Sequence, residues 1–238
     1  MDRVVIATRS LNEELYRLSG ELLGLPFPRY RITGTTADSY FCVLHELDAD
    51  WVINIDEDAF VTAPDRILAL LQYMQEHDYD CCGMPDGGVV DIRFHNPLVP
   101  NAFFTIHNVK KVREWFNLDE IYRARYERSL DRHVPTNLLR REQFAFDDFE
   151  PYYKYFFWLL HKGARFLYLD AIQWVRDPIT TILADHERQP FLMHTWYARE
   201  YQSQKQRFHQ AIAFARAVQQ QRERELRTMP KRSINDAL

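Results

Sequence analysis

The stretch Trp51-Val52-Ile53-Asn54-Ile55-Asp56-Glu57-Asp58-Ala59-Phe60-Val61 decides the fold, because an apolar run ends there in three consecutive acids. Val52, Ile53 and Ile55 are β-branched and suit a buried parallel strand covered on both faces. In open α/β sheets the ligand crevice lies beyond the carboxyl ends of the strands, so the acidic end is the informative one. Carboxylates two apart along an extended chain project the same way. Asp56 and Asp58 are therefore expected to point together into the crevice, with Glu57 pointing elsewhere. Two hard oxygen ligands suit Mg²⁺ or Mn²⁺, which complete their shells with water and substrate phosphates. A nucleotide diphosphate would supply such phosphates. A solvated acidic turn after a strand is the plainer alternative, since Asp-x-Asp alone is weakly specific.

Outward from this stretch, residues 3–8 read as a first strand, and 11–23 carries apolar residues at helical spacing until Gly24 and Pro26 stop it. Residues 30–33 read as a second strand and 37–47 as a helix with Tyr40, Phe41, Leu44 and Leu47 inward. Pro64 opens a helix over 65–76, with Ile67, Leu68, Leu71 and Met74 on one face. This alternation predicts right-handed crossovers and a parallel α/β sheet with the acids at its ligand edge. Beyond it, 92–104 mixes aromatics with Pro97, Pro100 and Asn101, which predicts loops and short antiparallel strands that either pack or wall a sugar site. Residues 120–141 are strongly charged and are expected to form a solvated helix and loop.

Across 238 residues, 46% are hydrophobic and 27% charged, the balance of a globular chain rather than a disordered one. A net charge of −4 argues against general nucleic-acid binding. The opening Met1-Asp2-Arg3-Val4-Val5-Ile6 lacks the apolar region of a signal peptide, and no run reaches the length of a membrane span. A cytoplasmic protein is expected. Cys42, Cys81 and Cys82 form neither a disulfide framework nor a metal-binding spacing.

A second acidic group, Phe146-Asp147-Asp148-Phe149-Glu150-Pro151, precedes the aromatic run 152–161 and looks like a helix N-terminus. Capping uses one acid and the helix dipole another. At least one of Asp147, Asp148 and Glu150 is then left as a general base toward a hydroxyl. Gly163 ends that helix, and 164–170 reads as a strand. A third element, 185–199, holds Arg188, His194, Trp196 and Arg199. A His between Met193 and Trp196 is by itself most often a packed one. Beside carboxylates, however, imidazole can complete a Mn²⁺ site, and Arg188 and Arg199 can pair with phosphate oxygens. Residues 185–195 are expected to act as a lid over a donor. By analogy with other nucleotide folds, the Thr8-Arg9-Ser10 turn lies near the nucleotide and Asp38 reaches base or ribose.

The N-terminal strand, Asp56-Glu57-Asp58, Asp147-Asp148 before an aromatic helix ending in Lys162-Gly163-Ala164-Arg165-Phe166, and His194 together resemble the GT-A glycosyltransferases, in the flavour of the bacterial family-2-like enzymes. The resemblance covers residues 3–200. It implies a Rossmann-like α/β fold whose mixed, mostly parallel sheet is flanked by helices. It also implies transfer of a sugar from a nucleotide sugar, with a UDP-sugar favoured, to an acceptor hydroxyl on a saccharide or lipid-linked saccharide. Polysaccharide or related glycoconjugate synthesis is the expected setting. Asp58 would contact Mn²⁺ or Mg²⁺, Asp56 the ribose or the metal, and His194 the metal or diphosphate. In inverting members the second acid of a Glu-Asp pair is the base, which maps onto Asp148. This chain has Asp147 where Glu is usual, so the base stays open among Asp147, Asp148 and Glu150.

On this basis residues 1–195 form the catalytic domain, with 1–105 binding the nucleotide sugar and 106–195 supplying the acceptor side and base. Residues 196–238 form a long basic amphipathic helix and tail with Arg207, Arg216, Arg222, Arg224 and Arg227. Its stripe of Tyr197, Tyr201, Phe208, Ile212, Ala215, Val218 and Leu226 is expected to pack on the catalytic domain or a homodimer partner. Its basic face alternatively suits a peripheral position on the inner face of a membrane. Two other function classes fit the same fold: a nucleotidyltransferase-type enzyme and a non-catalytic nucleotide- or metal-binding protein.

Overall fold

A computed structural model describes residues 2–34, 36, 40–140 and 144–228. Its elements in chain order are β1 (Val4–Arg9), α1 (Glu13–Gly20), β2 (Arg29–Ile32), α2 (Tyr40–Glu46), β3 (Trp51–Ile55), β4 (Ala59–Val61), α3 (Pro64–Glu76), β5 (Cys81–Pro85) and β6 (Pro100–Asn108). They continue with α4 (Val109–Arg113), α5 (Leu118–Arg123), α6 (Tyr153–His161), β7 (Phe166–Tyr168), β8 (Ala171–Trp174), β9 (Asp177–Ala184), β10 (Pro190–His194) and α7 (Lys205–Thr228).

Six strands form a mixed, mostly parallel sheet in the order β2-β1-β3-β6-β5-β7. β2, β1 and β3 run parallel, β6 is antiparallel to both its neighbours, and β5 and β7 are again parallel. Helices flank this sheet, and the long α7 closes the chain, so the α/β class expected from the sequence is the one observed. Trp51, Val52, Ile53 and Ile55 are buried, as strand residues covered on both faces must be. On one face Ile53 and Ile55 join Ile67, Leu70, Leu71 and Met74 of α3. On the other, Val52 meets Phe41 and Leu44 of α2 and the aromatic α6, whose Tyr153, Tyr155, Phe156, Phe157 and Trp158 are all buried. A helix apolar nearly all round is stable only when surrounded in this way.

The chain changes sheets at the acidic run. After β3, Asp56, Glu57 and Asp58 form a tight turn closed by the Ala59 amide donating to the Asp56 carbonyl at 3.1 Å. β4 then enters a second, antiparallel sheet of order β4-β10-β9-β8. The acids therefore sit on the seam between two sheets. They do not continue a strand, which corrects the expectation that strand alternation aims them.

Several further expectations change. The lid expected over 185–195 is the β9–β10 turn followed by β10, a buried strand bonded on both edges to β4 and β9. The C-terminal helix begins at Lys205 instead of residue 196, because Trp196 and Tyr197 adopt left-handed φ angles of 58° and 61° and Ala198–Glu200 is a 3₁₀ turn. Leu68 of α3 is exposed, its place inward taken by Leu70. The 105/106 boundary falls inside β6, a central strand of the main sheet.

α7 packs on the body. Tyr201, Phe208, Ala211, Ile212 and Ala215 are buried against Leu15, Leu18 and Leu22, Phe60 and Met193. Tyr197 and Leu226, expected on the same stripe, are half exposed. Two of its arginines pair with the body. Arg222 pairs with Asp65 through Nε at 2.7 Å and Nη2 at 2.6 Å, and Arg216 pairs with Glu21. Among the described residues no helix is long and apolar enough to cross a membrane.

Candidate functional site

The register of the strands assembles the site. β1 and β3 pair with a constant offset, Val4 with Trp51 through Ala7 with Asn54, and the same offset carried beyond the paired residues sets Arg9 beside Asp56 and Ser10 beside Glu57. Arg9 donates to Asp56 through Nε at 3.0 Å and Nη2 at 2.6 Å, a bidentate pair. Its guanidinium lies 4.9 Å from the centre of the Tyr40 ring. Burial works against the Arg9 charge, but the paired Asp56 outweighs it and holds the Arg9 pKa above its usual value.

Glu57 points away from its neighbours, as expected. Its carboxylate accepts from Ser10 Oγ at 2.8 Å and from the backbone amides of Asn12 at 2.9 Å and Leu11 at 3.2 Å. It thereby fixes the loop between β1 and α1. Burial nevertheless raises its pKa, the three donors only partly offsetting the desolvation.

Asp58 meets His194 through the second sheet. β10 pairs with β4 so that His194 lies opposite Ala59, one residue past Asp58. Asp58 Oδ1 and His194 Nε2 are 3.2 Å apart, both side chains 6% exposed. The Thr195 amide and hydroxyl donate to the Asp58 carbonyl at 3.0 and 2.9 Å and lock this junction. Burial alone would raise the Asp58 pKa; the neighbouring imidazole, which also hydrogen-bonds it, brings the net shift below the usual carboxylate value. The His194 ring stacks on Phe103 with centres 4.1 Å apart, and its buried Nδ1 has no partner among the described residues.

These groups open on one cavity of about 460 Å³, a size typical of small-ligand sites. Its wall includes Arg9, Asp56, Asp58, Arg93, Asn101, Phe103, Glu150, Tyr152, His194, Trp196, Tyr197 and Arg199. Two successive non-glycine residues with left-handed φ, Trp196 and Tyr197, form part of it, and such strain persists only where surrounding contacts over-determine it. Arg207 of α7 is that contact: it donates to the Trp196 carbonyl at 2.9 Å, to the Thr195 carbonyl, and to Asp177 Oδ2 at 3.1 Å. The C-terminal helix thus braces the cavity.

The three candidate bases are separated by the fold. Glu150 lines the cavity. Asp147 Oδ2 bonds His95 Nδ1 at 3.0 Å, and Asp148 lies at the surface with Arg125 3.9 Å away. Glu150 is partly buried, which raises its pKa, while Arg93 pulls it back. Among the nucleotide-binding candidates, Arg9, Asp56 and Arg199 line the cavity. Thr8 is fully buried and accepts from Arg29 Nε at 2.9 Å, and Arg188 is exposed in the β9–β10 turn with φ 60°; neither is part of the wall. Asp38 lies outside the described residues.

Sequence reasoning missed Arg93 and its partner. Asp86, fully buried, receives Arg93 Nε at 2.6 Å and Arg93 Nη2, and also Asn101 Nδ2 and the Tyr153 hydroxyl. The signal was an Asp and an Arg flanking the Gly87-Gly88 turn, and it has no periodicity to reveal it. Gly87 is required there: a Cβ would meet the His95 carbonyl oxygen at 1.9 Å.

The donor set at the seam offers a divalent ion two protein ligands. Asp58 Oδ1 and His194 Nε2 stand about one octahedral edge apart, as two adjacent ligands of Mn²⁺ or Mg²⁺ would. Asp56 is committed to Arg9, and among the described residues no three His, Cys, Asp or Glu side chains group as an ion site. The residues therefore fit an ion held by two protein donors, with substrate phosphates and water completing its shell.

No protein-family model and no curated protein matches the chain. Among solved structures it is similar to a glycosyltransferase involved in glycosylation of the major capsid of PBCV-1, at 11% identity over 71% of this chain and 81% of that one, with a TM-score of 0.42. It is also similar to the mannosyltransferase PcManGT from Pyrobaculum calidifontis, in complex with GDP-Man and Mn²⁺, at 10% identity over 50% of this chain and 48% of that one, TM-score 0.37. A third is a CMP:2-keto-3-deoxy-manno-octonic acid synthetase complexed with CTP, at 12% identity over 71% and 90% of the two chains, TM-score 0.35. All three scores lie below 0.5, so the chemistry of the site is taken from its own residues.

Proposed function

We propose that this chain is a GT-A-type glycosyltransferase that moves a sugar from a nucleotide sugar, a UDP-sugar in first place, to the hydroxyl of a saccharide or lipid-linked saccharide. The observation that carries it is the meeting, in one cavity, of Asp56, Asp58 and His194 at a sheet seam with Arg9, Arg93 and the partly buried Glu150.

In the reaction the bond between the anomeric carbon and the diphosphate oxygen breaks, and the nucleoside diphosphate leaves with the electron pair. The acceptor oxygen bonds to the same carbon and loses its proton to Glu150. A carboxylate whose pKa is raised by burial suits that task near neutral pH. A single base activating the acceptor hydroxyl directly corresponds to inversion. Asp58 and His194 would hold Mn²⁺ or Mg²⁺, which when bound stabilises the negative charge developing on the departing diphosphate. Arg9, held by Asp56 at the end of β1, adds guanidinium donors, and Trp196 and Tyr197 form part of the cavity wall.

The test is a panel of UDP-, GDP-, CMP- and dTDP-sugars, with and without Mn²⁺, read by thermal shift and by nucleoside diphosphate release. A metal-dependent shift with one nucleotide class, lost in Asp58→Ala, supports the proposal. Absence of any shift with every donor overturns it.

A further inference from the structure

Arg93 has the features of a substrate-reading residue that no sequence signal announced. Its bonds to Asp86 use Nε and Nη2, and among the described residues Nη1 has no acceptor. Asp86 is completely buried and saturated by Arg93, Asn101 and Tyr153, so the guanidinium is fixed in place before any ligand arrives. A buried ion pair of this kind is weak evidence for stability, since apolar residues would fill the same volume at least as well. Burying such a pair is better explained by what its uncommitted edge does.

Arg93 belongs to the cavity wall it shares with Glu150, and its guanidinium lies 5.6 Å from the centres of both the Phe149 and Trp196 rings. Arg9, in contrast, is anchored to Asp56 at the end of β1, where a nucleotide is expected. Arg93 and Arg9 are both paired with a carboxylate, so each offers directed hydrogen bonds, and the place of Arg93 beside Glu150 rather than at the end of β1 suits hydroxyl or carboxylate oxygens of the glycosyl unit. The Trp196 ring, in the same cavity wall, suits the apolar C–H surface of a pyranose.

We propose that Arg93 reads the transferred sugar, its Nη1 edge donating to an oxygen of the glycosyl unit while Asp86, Asn101 and Tyr153 serve as its buried mount. The proposal rests on the glycosyltransferase reading of the site. A site built to hydrogen-bond a substrate oxygen discriminates strongly against ligands that lack it, because the buried donor is otherwise left unpaired.

The experiment compares calorimetric affinities for a nucleotide sugar and for its free nucleoside diphosphate, in the presence of Mn²⁺, across wild type, Arg93→Gln, Arg93→Lys and Asp86→Asn. Folding is checked by thermal denaturation. In wild type the sugar is expected to add affinity over the bare diphosphate, and absence of that gain overturns the proposal. Arg93→Gln is expected to lose about 10- to 100-fold for the nucleotide sugar, with diphosphate affinity unchanged. Asp86→Asn should show the same selective loss, since it frees the guanidinium, and Arg93→Lys an intermediate one because it lacks the planar fork. Hexose and uronate donors then separate a hydroxyl from a carboxylate as the group read. Equal losses for both ligands, or no loss for either, overturn the proposal. If wild type binds neither ligand, the glycosyltransferase reading has failed instead. Arg93→Lys keeps the charge and stem, so the comparison survives should Arg93→Gln not fold.

Discussion

The chain contains two acidic triplets, 56–58 and 147–150, and they are built differently. In the first, every acid has a dedicated partner supplied by neighbouring strands: Asp56 takes Arg9, Glu57 takes the loop after β1, and Asp58 takes His194. In the second, Asp147 is tied to His95, Asp148 faces solvent beside Arg125, and only Glu150 enters the cavity. The difference teaches that a run of like charges is a set of separate tasks. Where the run sits on a sheet seam, register distributes the tasks; on the irregular segment before α6, distant contacts do.

The strongest test of this division is Asp58→Ala, which should reduce nucleoside diphosphate release by about 10³-fold or more if Asp58 is one of the two donors proposed to hold the ion. Loss of the Mn²⁺-dependent thermal shift should accompany it. Full activity in that variant would mean the first triplet is not the donor site. Next, Glu150→Gln should lower kcat by about 10²- to 10⁴-fold with donor affinity retained, whereas Asp148→Asn should change turnover little. The reverse result would move the base to Asp148 and break the contrast between the triplets.

A smaller effect separates Glu57 from the acids beside it. Glu57→Ala strands three donors around the β1–α1 loop and should cost about 2–3 kcal/mol in chemical denaturation. Turnover by the folded fraction should stay within an order of magnitude of wild type. An activity loss as deep as that of Asp58→Ala, without loss of stability, would show that the middle acid is chemical and not structural.

A pH effect away from the site sets the range for these comparisons. Burial depresses the His107 pKa to about 3, and burial together with Arg113 depresses that of His45 to about 3. Both are neutral in the fold and protonate in the unfolded chain, so their contribution is fully present above pH ~6.5 and is lost as pH falls toward the folded value. Each should remove up to about 1.4 kcal/mol per pH unit across that window. A denaturation midpoint that stays flat from pH 7 to 5 would contradict the buried, neutral state of these rings.

Much of the α/β frame was legible because its signals are local. Apolar runs of strand length, helical spacing in 11–23 and 65–76, and Gly24 or Pro64 as punctuation are each written within a few neighbouring residues. Tyr197 and Tyr201 keep the helical spacing that predicts a helix from 196, but Trp196 and Tyr197 adopt left-handed φ angles where Arg207 binds the Thr195 and Trp196 carbonyls. The 185–195 segment was misread as a lid because nothing within it reveals that β4 and β9 bond both its edges.

Reading residues in order is enough to find a buried strand ending in acids, an aromatic helix after a second acidic run, and a basic amphipathic helix beyond residue 196. Such features depend on side-chain period and composition alone. Tertiary structure decided that Asp56 and Asp58 converge through a turn between two sheets and that His194 lands beside Asp58. It also decided that Glu150, rather than Asp147 or Asp148, faces the cavity, and that Asp86 holds Arg93 there. Those outcomes depend on pairing between residues as much as 136 positions apart, as with Asp58 and His194. No local pattern encodes such register, because it is fixed only when the sheets close.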